Sequence, residues 1–319
     1  MIHIEDKFIK ENISYPMLIE ALKLGFRESK IECPPKLAYN YKSSVSEKNN
    51  TMLMMPAWDN EQYFGVKLIA ATPHNKTVGI PYLNGSYILF NAKNGLPLAS
   101  MDAKLITNMR TAATSVLASS YLCRKDASDV LILGNGSLSP YYISAYASLG
   151  HVKSIYVWGR QYEKSQKVVA SVQLPDRVQV QAVKNFKELI PSMDIISCIT
   201  SSYDPLIVRD DMGEGQHFDL AGSYTSEMME VDTDVVKNCT VFTDNFNITL
   251  EHAGELVNAL KEGKLNKEDI QGDFEMLCKD DTSKRRTSKE NTLFKCTGMA
   301  LEDLVMAQLI HKAYGQTGK

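Results

Sequence analysis

Three groups of residues in this chain could do chemistry. The first is a glycine loop, Gly134-Asn135-Gly136-Ser137-Leu138-Ser139, which follows the apolar run Asp129–Leu133 and precedes a segment with helical character. In that setting the first glycine permits a tight turn and the second lets the backbone approach a pyrophosphate. The small Ser139 stands where helix and strand must pack closely. The helix N-terminus then offers unpaired N–H groups and the positive end of its dipole to the phosphates. The strand and helix around the loop favour dinucleotide binding over a tight turn that binds nothing.

The second group tunes the cofactor. The next strand ends in Trp158-Gly159-Arg160, with no carboxylate for the ribose 2′-hydroxyl of NAD. Arg160 can meet a 2′-phosphate or stack on adenine, so NADPH is the expected cofactor, with NADH as the alternative. Thr200, at the end of a later strand, is placed to touch the nicotinamide ribose. The third group is cationic. Lys67 lies in the apolar run Gly65-Val66-Lys67-Leu68-Ile69-Ala70, and Arg110 in a mainly apolar helix ahead of Thr111-Ala112-Ala113. A charge in such surroundings needs a partner. A substrate carboxylate is one such partner; a snorkelling or internally paired side chain is the plainer reading.

These residues need elements to hold them. The run 16–30 has the apolar spacing of an amphipathic helix. Runs 51–58, 63–72, 82–90 and 96–101 read as strands, the last two flanking the turn signal Asn94-Gly95, and together suggest a small, largely antiparallel sheet. The Ala-rich run 104–122 reads as a helix joining two domains. From Asp129 onward strands alternate with helices: strands at 129–133, 154–160, 178–183, 194–200, 217–223 and 240–245, helices at 140–149, 163–172 and 186–190. That alternation implies a parallel sheet with right-handed crossovers. Run 279–291 is polar and reads as an exposed loop, and 298–313 as a closing amphipathic helix. The expected fold is α/β. A Rossmann-type parallel-sheet domain spans 116–298, and a smaller α+β substrate and dimerisation domain spans 1–115, rejoined by 299–319.

Composition narrows the functional classes. In 319 residues, 35 Lys and Arg against 38 Asp and Glu give a net charge of −3, which gives no reason to expect a nucleic-acid or membrane-surface partner. Six scattered cysteines form no CxxC pair, so neither a metal cluster nor a disulfide framework is expected. No apolar run approaches the ~20 residues of a membrane span. Without a leader-like N-terminus, a cytoplasmic location is expected.

Runs along nearly the whole chain resemble the ornithine cyclodeaminase/mu-crystallin family. They include Met55-Pro56-Ala57, the Lys67 strand, Met109–Ala113, Leu133–Gly136, His217–Tyr224, Glu230-Val231-Asp232, Ala253-Gly254-Glu255-Leu256 and Leu293–Ala300. The resemblance implies a dimeric NAD(P)-dependent enzyme. By position it implies that Lys36, Lys67 and Arg110 hold the substrate carboxylate. As a separate reading of the chemistry, a desolvated Lys67 beside another cation, or a positioned water, is the candidate proton donor. It implies cofactor contacts from Arg110, Thr111, Gly134, Asn135, Gly136, Ser137, Leu138, Thr200, Ala221, Gly222 and Ser223. Cys296, placed with these cofactor contacts, and Thr297, placed with the substrate, match the closing edge of the site. Cyclodeaminases of the family carry an Asp two residues after the turn glycine, where this chain has Tyr224 after Gly222 and Ser223. A phenol, protonated near neutral pH, is no carboxylate base. The pattern resembles the reductase branch, and the expected reaction is reduction of Δ1-pyrroline-2-carboxylate, a cyclic ketimine, to L-proline. The alternatives are an alanine dehydrogenase or ornithine cyclodeaminase of the same family, or a mu-crystallin-like protein that binds NADPH and a small ligand with little turnover.

Overall fold

The computed structural model describes residues 1–28 and 30–317. The chain divides into two compact units, Met1–Thr111 with Met299–Lys319, and Ala112–Gly298.

The first unit is built on a six-stranded sheet. Its strands are β1 (Ile2–His3), β2 (Leu37–Tyr41), β3 (Asn50–Trp58), β4 (Tyr63–Ala71), β5 (Leu83–Asn91) and β6 (Pro97–Asp102), in the order β1-β6-β5-β4-β3-β2. Only the short β1–β6 pair is parallel. Helix α1 spans Asp6–Asn12 and α2 spans Tyr15–Glu28. Helix α2 tolerates Pro16 in its first turn, where a missing N–H costs nothing, and turns Leu18, Leu22 and Phe26 inward. Ser29, within the helix expected from sequence, lies outside the described residues. Helix α3 (Ala103–Leu122) begins at Asp102, whose carboxylate accepts the Leu105 N–H at 2.6 Å, and the boundary between the units falls within it. The last helix, which follows the second unit in the chain, is Ala300–Gln316; it packs on α2 and across β3, β4 and β5. Its first two turns are buried on almost every side, so it lacks the clean polar face expected from sequence.

The second unit carries β7 (Asp129–Leu133), α4 (Ser139–Ala147), β8 (Ser154–Trp158), α5 (Tyr162–Ala170), β9 (Gln179–Ala182), β10 (Ile195–Cys198) and β11 (His217–Leu220). It continues with α6 (Thr233–Lys237), β12 (Thr240–Thr243), α7 (Phe246–His252), α8 (Gly254–Lys261), β13 (Ile270–Gly272), α9 (Phe274–Leu277) and β14 (Thr292–Lys295). The closing helix of the first unit is α10. The eight strands lie in the order β13-β12-β14-β11-β10-β7-β8-β9, every pair parallel. The central strands are buried from end to end except for Asp129 at the start of β7, as a sheet covered on both faces requires, and β11 takes His217 and Asp219 into that interior. The chain runs outward from β7 through β8 and β9, then crosses back to place β10 on the other side of β7. That reversal is the switch point of a doubly wound Rossmann sheet, outside whose carboxyl ends ligands bind.

One expectation needs correction. Residues 186–190 form no α-helix; a turn leads into a single 3₁₀ turn at Ile190–Ser192. Pro191 disfavours the α conformation at Ile190, which stops propagation. The loop 279–291 has no regular structure and is mostly exposed, as expected, and it is tied to the body of the unit. The Arg285 guanidinium donates to the carbonyls of Leu122 at 3.0 Å and Gln216 at 3.0 Å.

Candidate active site

In the first unit Lys67 and Arg110 meet at one carboxylate. Lys67 Nζ lies 2.7 Å from Asp303 Oδ2, and Arg110 Nε donates to Asp303 Oδ1 at 3.0 Å. Arg110 Nη1 also donates to Glu302. Lys67 is 3% exposed and Arg110 5%, while Glu302 and Asp303 are fully buried at the start of α10. Lys67 reaches this point because β4 alternates, placing it on the inner face with Gly65. Two cations and two carboxylates leave the cluster balanced, which is what makes its burial tolerable. Burial pulls the Lys67 pKa down; Asp303 opposes that pull and Arg110 adds to it. A lysine shifted this way gives up a proton more readily than one in water.

Lys36 is not part of the cluster. It is exposed in the extended segment before β2 and makes no bond to these carboxylates among the described residues. Thr111 is almost buried, and its hydroxyl donates to Thr107 O one helical turn back at 2.6 Å.

In the second unit the glycine loop sits at the carboxyl end of β7, at the switch point. Gly134 has φ 134, which only glycine adopts readily, and a Cβ there would meet the Ile199 backbone oxygen at 2.9 Å. Ser139 is fully buried and donates to Gly134 O at 2.6 Å, closing the turn onto α4. Asn135 points away from the loop mouth, its amide donating to Gln161 O at 2.9 Å and Ser165 Oγ at 3.0 Å. Gly136 and Ser137 are exposed, Leu138 is half-buried, and open space lies where a Gly136 side chain would project. A pyrophosphate fits this surface, with exposed backbone, no side chain at Gly136 and the start of α4 behind it. Arg160 is exposed just beyond the end of β8, beside the loop's own strand.

Across the switch point a buried carboxylate ties two loops together. Glu230 Oε1 accepts from Thr200 N at 2.7 Å and Thr200 Oγ1 at 3.1 Å. Its Oε2 accepts from Gly222 N at 2.8 Å and Ser223 N at 3.2 Å. Gly222 is forced by this closeness, since a Cβ would lie 2.1 Å from Thr200 O. Beneath it, Lys295 Nζ lies 3.3 Å from Glu255 and 3.9 Å from Glu230, and donates to Ser223 Oγ. Burial raises Glu230 to about 7 although Lys295 opposes the rise. Lys295 itself is raised: burial lowers it, but Glu255 and Glu230 outweigh that.

This assembly places the expected cofactor residues unequally. Thr200 and Ala221 are half-buried at the ends of their strands, whereas Ser223 is fully buried with its hydroxyl committed to Glu255 at 2.6 Å. Cys296 is buried just past β14. Thr297 is partly buried, its N–H donating to Asp244 Oδ2 at 2.6 Å, as does the Gly298 N–H.

Glu302 and Asp303 escaped the sequence reading because adjacent acids in the first turn of a helix look like ordinary partners of its dipole. Glu230, Glu255 and Lys295 stood there only within matching runs. Lys295 carried the same signal as Lys67, a lysine closing the buried strand Thr292–Lys295.

The chain has relatives. The sequence profile of the ornithine cyclodeaminase/mu-crystallin family matches residues 4–318. A Colwellia psychrerythraea protein named Delta(1)-pyrroline-2-carboxylate reductase is 32% identical over 304 residues, 95% of this chain and 96% of that protein. The Arabidopsis thaliana protein SAR DEFICIENT 4 is 34% identical over 311 residues, covering 95% and 94%. Among solved structures, Thermococcus litoralis Delta(1)-pyrroline-2-carboxylate reductase, in complex with NADH and L-proline, matches with a TM-score of 0.90 at 25% identity, over 100% of this chain and 98% of that one.

Proposed function

The chain belongs to the ornithine cyclodeaminase/mu-crystallin family, and from that premise we propose that it reduces the cyclic ketimine Δ1-pyrroline-2-carboxylate to L-proline. It is an NAD(P)H-dependent imine reductase. The observation that carries the choice of substrate is the meeting of Lys67 and Arg110 at Asp303. A buried cluster that holds both cations and acids best receives a substrate with a carboxylate for the cations and a ring imine nitrogen that takes up its proton within the site. The carboxylate goes to Lys67 and Arg110, and the protonated nitrogen is favoured by the acids beside them.

The nicotinamide cofactor supplies the hydride to C2 when bound. The glycine loop Gly134–Leu138 and the start of α4 hold its pyrophosphate. Thr200, Ala221 and Gly222, set by Glu230, line the place for its ribose and amide. Thr111, Ser223 and Cys296 belong with the cofactor contacts, Thr297 with the substrate, and Arg110 with both. Arg160 supports NADPH as the preferred form. Lys67 delivers the proton to the imine nitrogen. Burial has already made that proton easier to lose, and orientation by the carboxylate clamp brings C2 into a near-attack geometry. Lys36, exposed and outside the cluster, stays in this reading as a third cation for the carboxylate.

We also propose a homodimer. Strand β2 is an unpaired sheet edge exposed along its whole length, and Leu37, Tyr39, Tyr41 and the cross-strand neighbour Met52 are large exposed apolar groups. Such an edge invites pairing with a second chain. The scattered cysteines fit a cytoplasmic enzyme. Among the described residues no helix is long and apolar enough to cross a membrane.

Arg110 tests the reading. Arg110→Lys keeps the charge and loses the planar fork. Loss of a charged hydrogen bond of about 1.5–3 kcal/mol lowers kcat/KM roughly 10- to 150-fold at saturating NADPH. Arg110→Met lowers it further. Wild-type kcat/KM in Arg110→Met would remove the clamp from the mechanism.

A further inference from the structure

Tyr87 lies directly opposite Lys67 in the β4–β5 pair. Directly opposed residues share a face of the sheet, and so do residues two apart on one strand. Lys67, Tyr87 and Gly65 therefore face the same way. The Tyr87 ring lies over Gly65, where a Cβ would stand 2.2 Å from the phenolic oxygen. The side chain is 1% exposed, yet among the described residues its hydroxyl has no hydrogen-bond partner. A buried hydroxyl left without a partner is costly, and native proteins keep few of them. Tyr142 and Tyr146, equally buried, show the usual outcome, since each hydroxyl is hydrogen-bonded to a serine on α3.

We propose that Tyr87 is a third donor to the substrate carboxylate, beside Lys67 and Arg110. This rests on the reading of the Lys67–Arg110 cluster as the carboxylate site. Burial first, and then the charges of Asp303 and Cys33, push the phenol well above its usual range. It therefore remains protonated and can only add a hydrogen bond to an incoming anion, never a competing charge. The missing Cβ at Gly65 is what lets the ring lie against β4 on the face that carries Lys67. The unpartnered hydroxyl is paired once a carboxylate arrives, so relief of that cost adds to substrate binding.

The test is Tyr87→Phe in the full-length protein. Its kcat/KM for Δ1-pyrroline-2-carboxylate should fall roughly 10- to 100-fold, the loss appearing mainly in KM. Binding of pyrrole-2-carboxylate, a planar analogue, should weaken by a similar factor in calorimetry. Cofactor affinity should not change. The thermal midpoint should stay level or rise, because the variant discards an unsatisfied group. Wild-type kcat/KM and analogue affinity in Tyr87→Phe would overturn the inference while leaving the proposed reaction intact. A lowered kcat/KM with a lowered thermal midpoint would also overturn it, showing a structural hydroxyl. A wild-type protein that neither turns over the imine nor binds the analogue would instead remove the reaction on which the inference rests.

Discussion

Asp303 Oδ2 lies 2.7 Å from Lys67 Nζ, so an acid in the first turn of the last helix neutralises a lysine in the middle of an early strand. Both side chains are buried. Removing one member of a buried pair leaves the other charge uncompensated, at a cost of about 3–5 kcal/mol. Asp303→Asn should lower the free energy of unfolding by that order in urea titration. Lys67→Met added to it should recover part of the loss, since no lone charge then remains. A single variant as stable as wild type would show that the pair is solvated in solution.

Arg160 offers a prediction about cofactor choice. It stands exposed where a carboxylate for the 2′-hydroxyl of NAD is usual. Arg160→Ala should weaken NADPH binding more than NADH binding by fluorescence titration, and the gap should shrink at high salt. Equal losses for both cofactors would remove Arg160 from 2′-phosphate recognition.

Stability should carry a histidine signature. His217 is fully buried on β11, and burial, helped by Arg285, lowers its pKa to about 3. Thr292 Oγ1 donates to Leu122 O at 2.9 Å, so His217 Nδ1 is the donor in its 3.0 Å bond to that oxygen. The ring is neutral. Below its ordinary pKa of about 6.5 the unfolded chain takes up a proton that the native protein refuses. Its contribution is therefore present above pH 6.5 and is lost as pH falls toward 3. Asp219, raised by burial to about 6, and Glu230, raised to about 7, act in the opposite sense. Those two are common to wild type and His217→Gln and cancel in the difference. The stability of wild type relative to the variant should fall by about 1.4 kcal/mol per pH unit below 6.5. A difference independent of pH would mean that His217 titrates normally.

Much of the fold was legible because it rests on local pattern. The strand, glycine loop and helix at 129–147 follow directly from an apolar run, two glycines and Pro140. The antiparallel strands β3 to β6 were visible from alternation and from Asn94-Gly95. What could not be read depends on distant partners. Strand β2 alternates Leu37, Tyr39 and Tyr41 with Ala38 and Asn40, but the run is five residues long and exposed throughout, so no buried face marks it as a strand. The turn at 187–192 had helical composition, but Pro191 decided its form.

The site divides the same way. Lys67 and Arg110 stood out because cations in apolar runs need partners. The partner itself did not, because Asp303 is 236 residues from Lys67 in sequence and sits where any helix welcomes an acid. Glu230 was equally silent. Its four accepted bonds come from backbone and side chain of residues 200, 222 and 223, and only folding brings them together. Ser223 reads as a cofactor contact in sequence, yet its hydroxyl is spent on Glu255 and Lys295.

Imine reduction is measured by incubating the purified protein with NADPH or NADH and Δ1-pyrroline-2-carboxylate, following cofactor oxidation and resolving the product by chiral chromatography. L-Ornithine with NAD, and pyruvate with ammonia and reduced cofactor, run alongside. Cofactor oxidation should be matched mole for mole by L-proline, with no release of ammonia from ornithine, as Tyr224 in place of an acid requires. Steady conversion of ornithine, reduction of pyruvate in preference to the cyclic imine, or cofactor binding with no oxidation would contradict the proposed reaction.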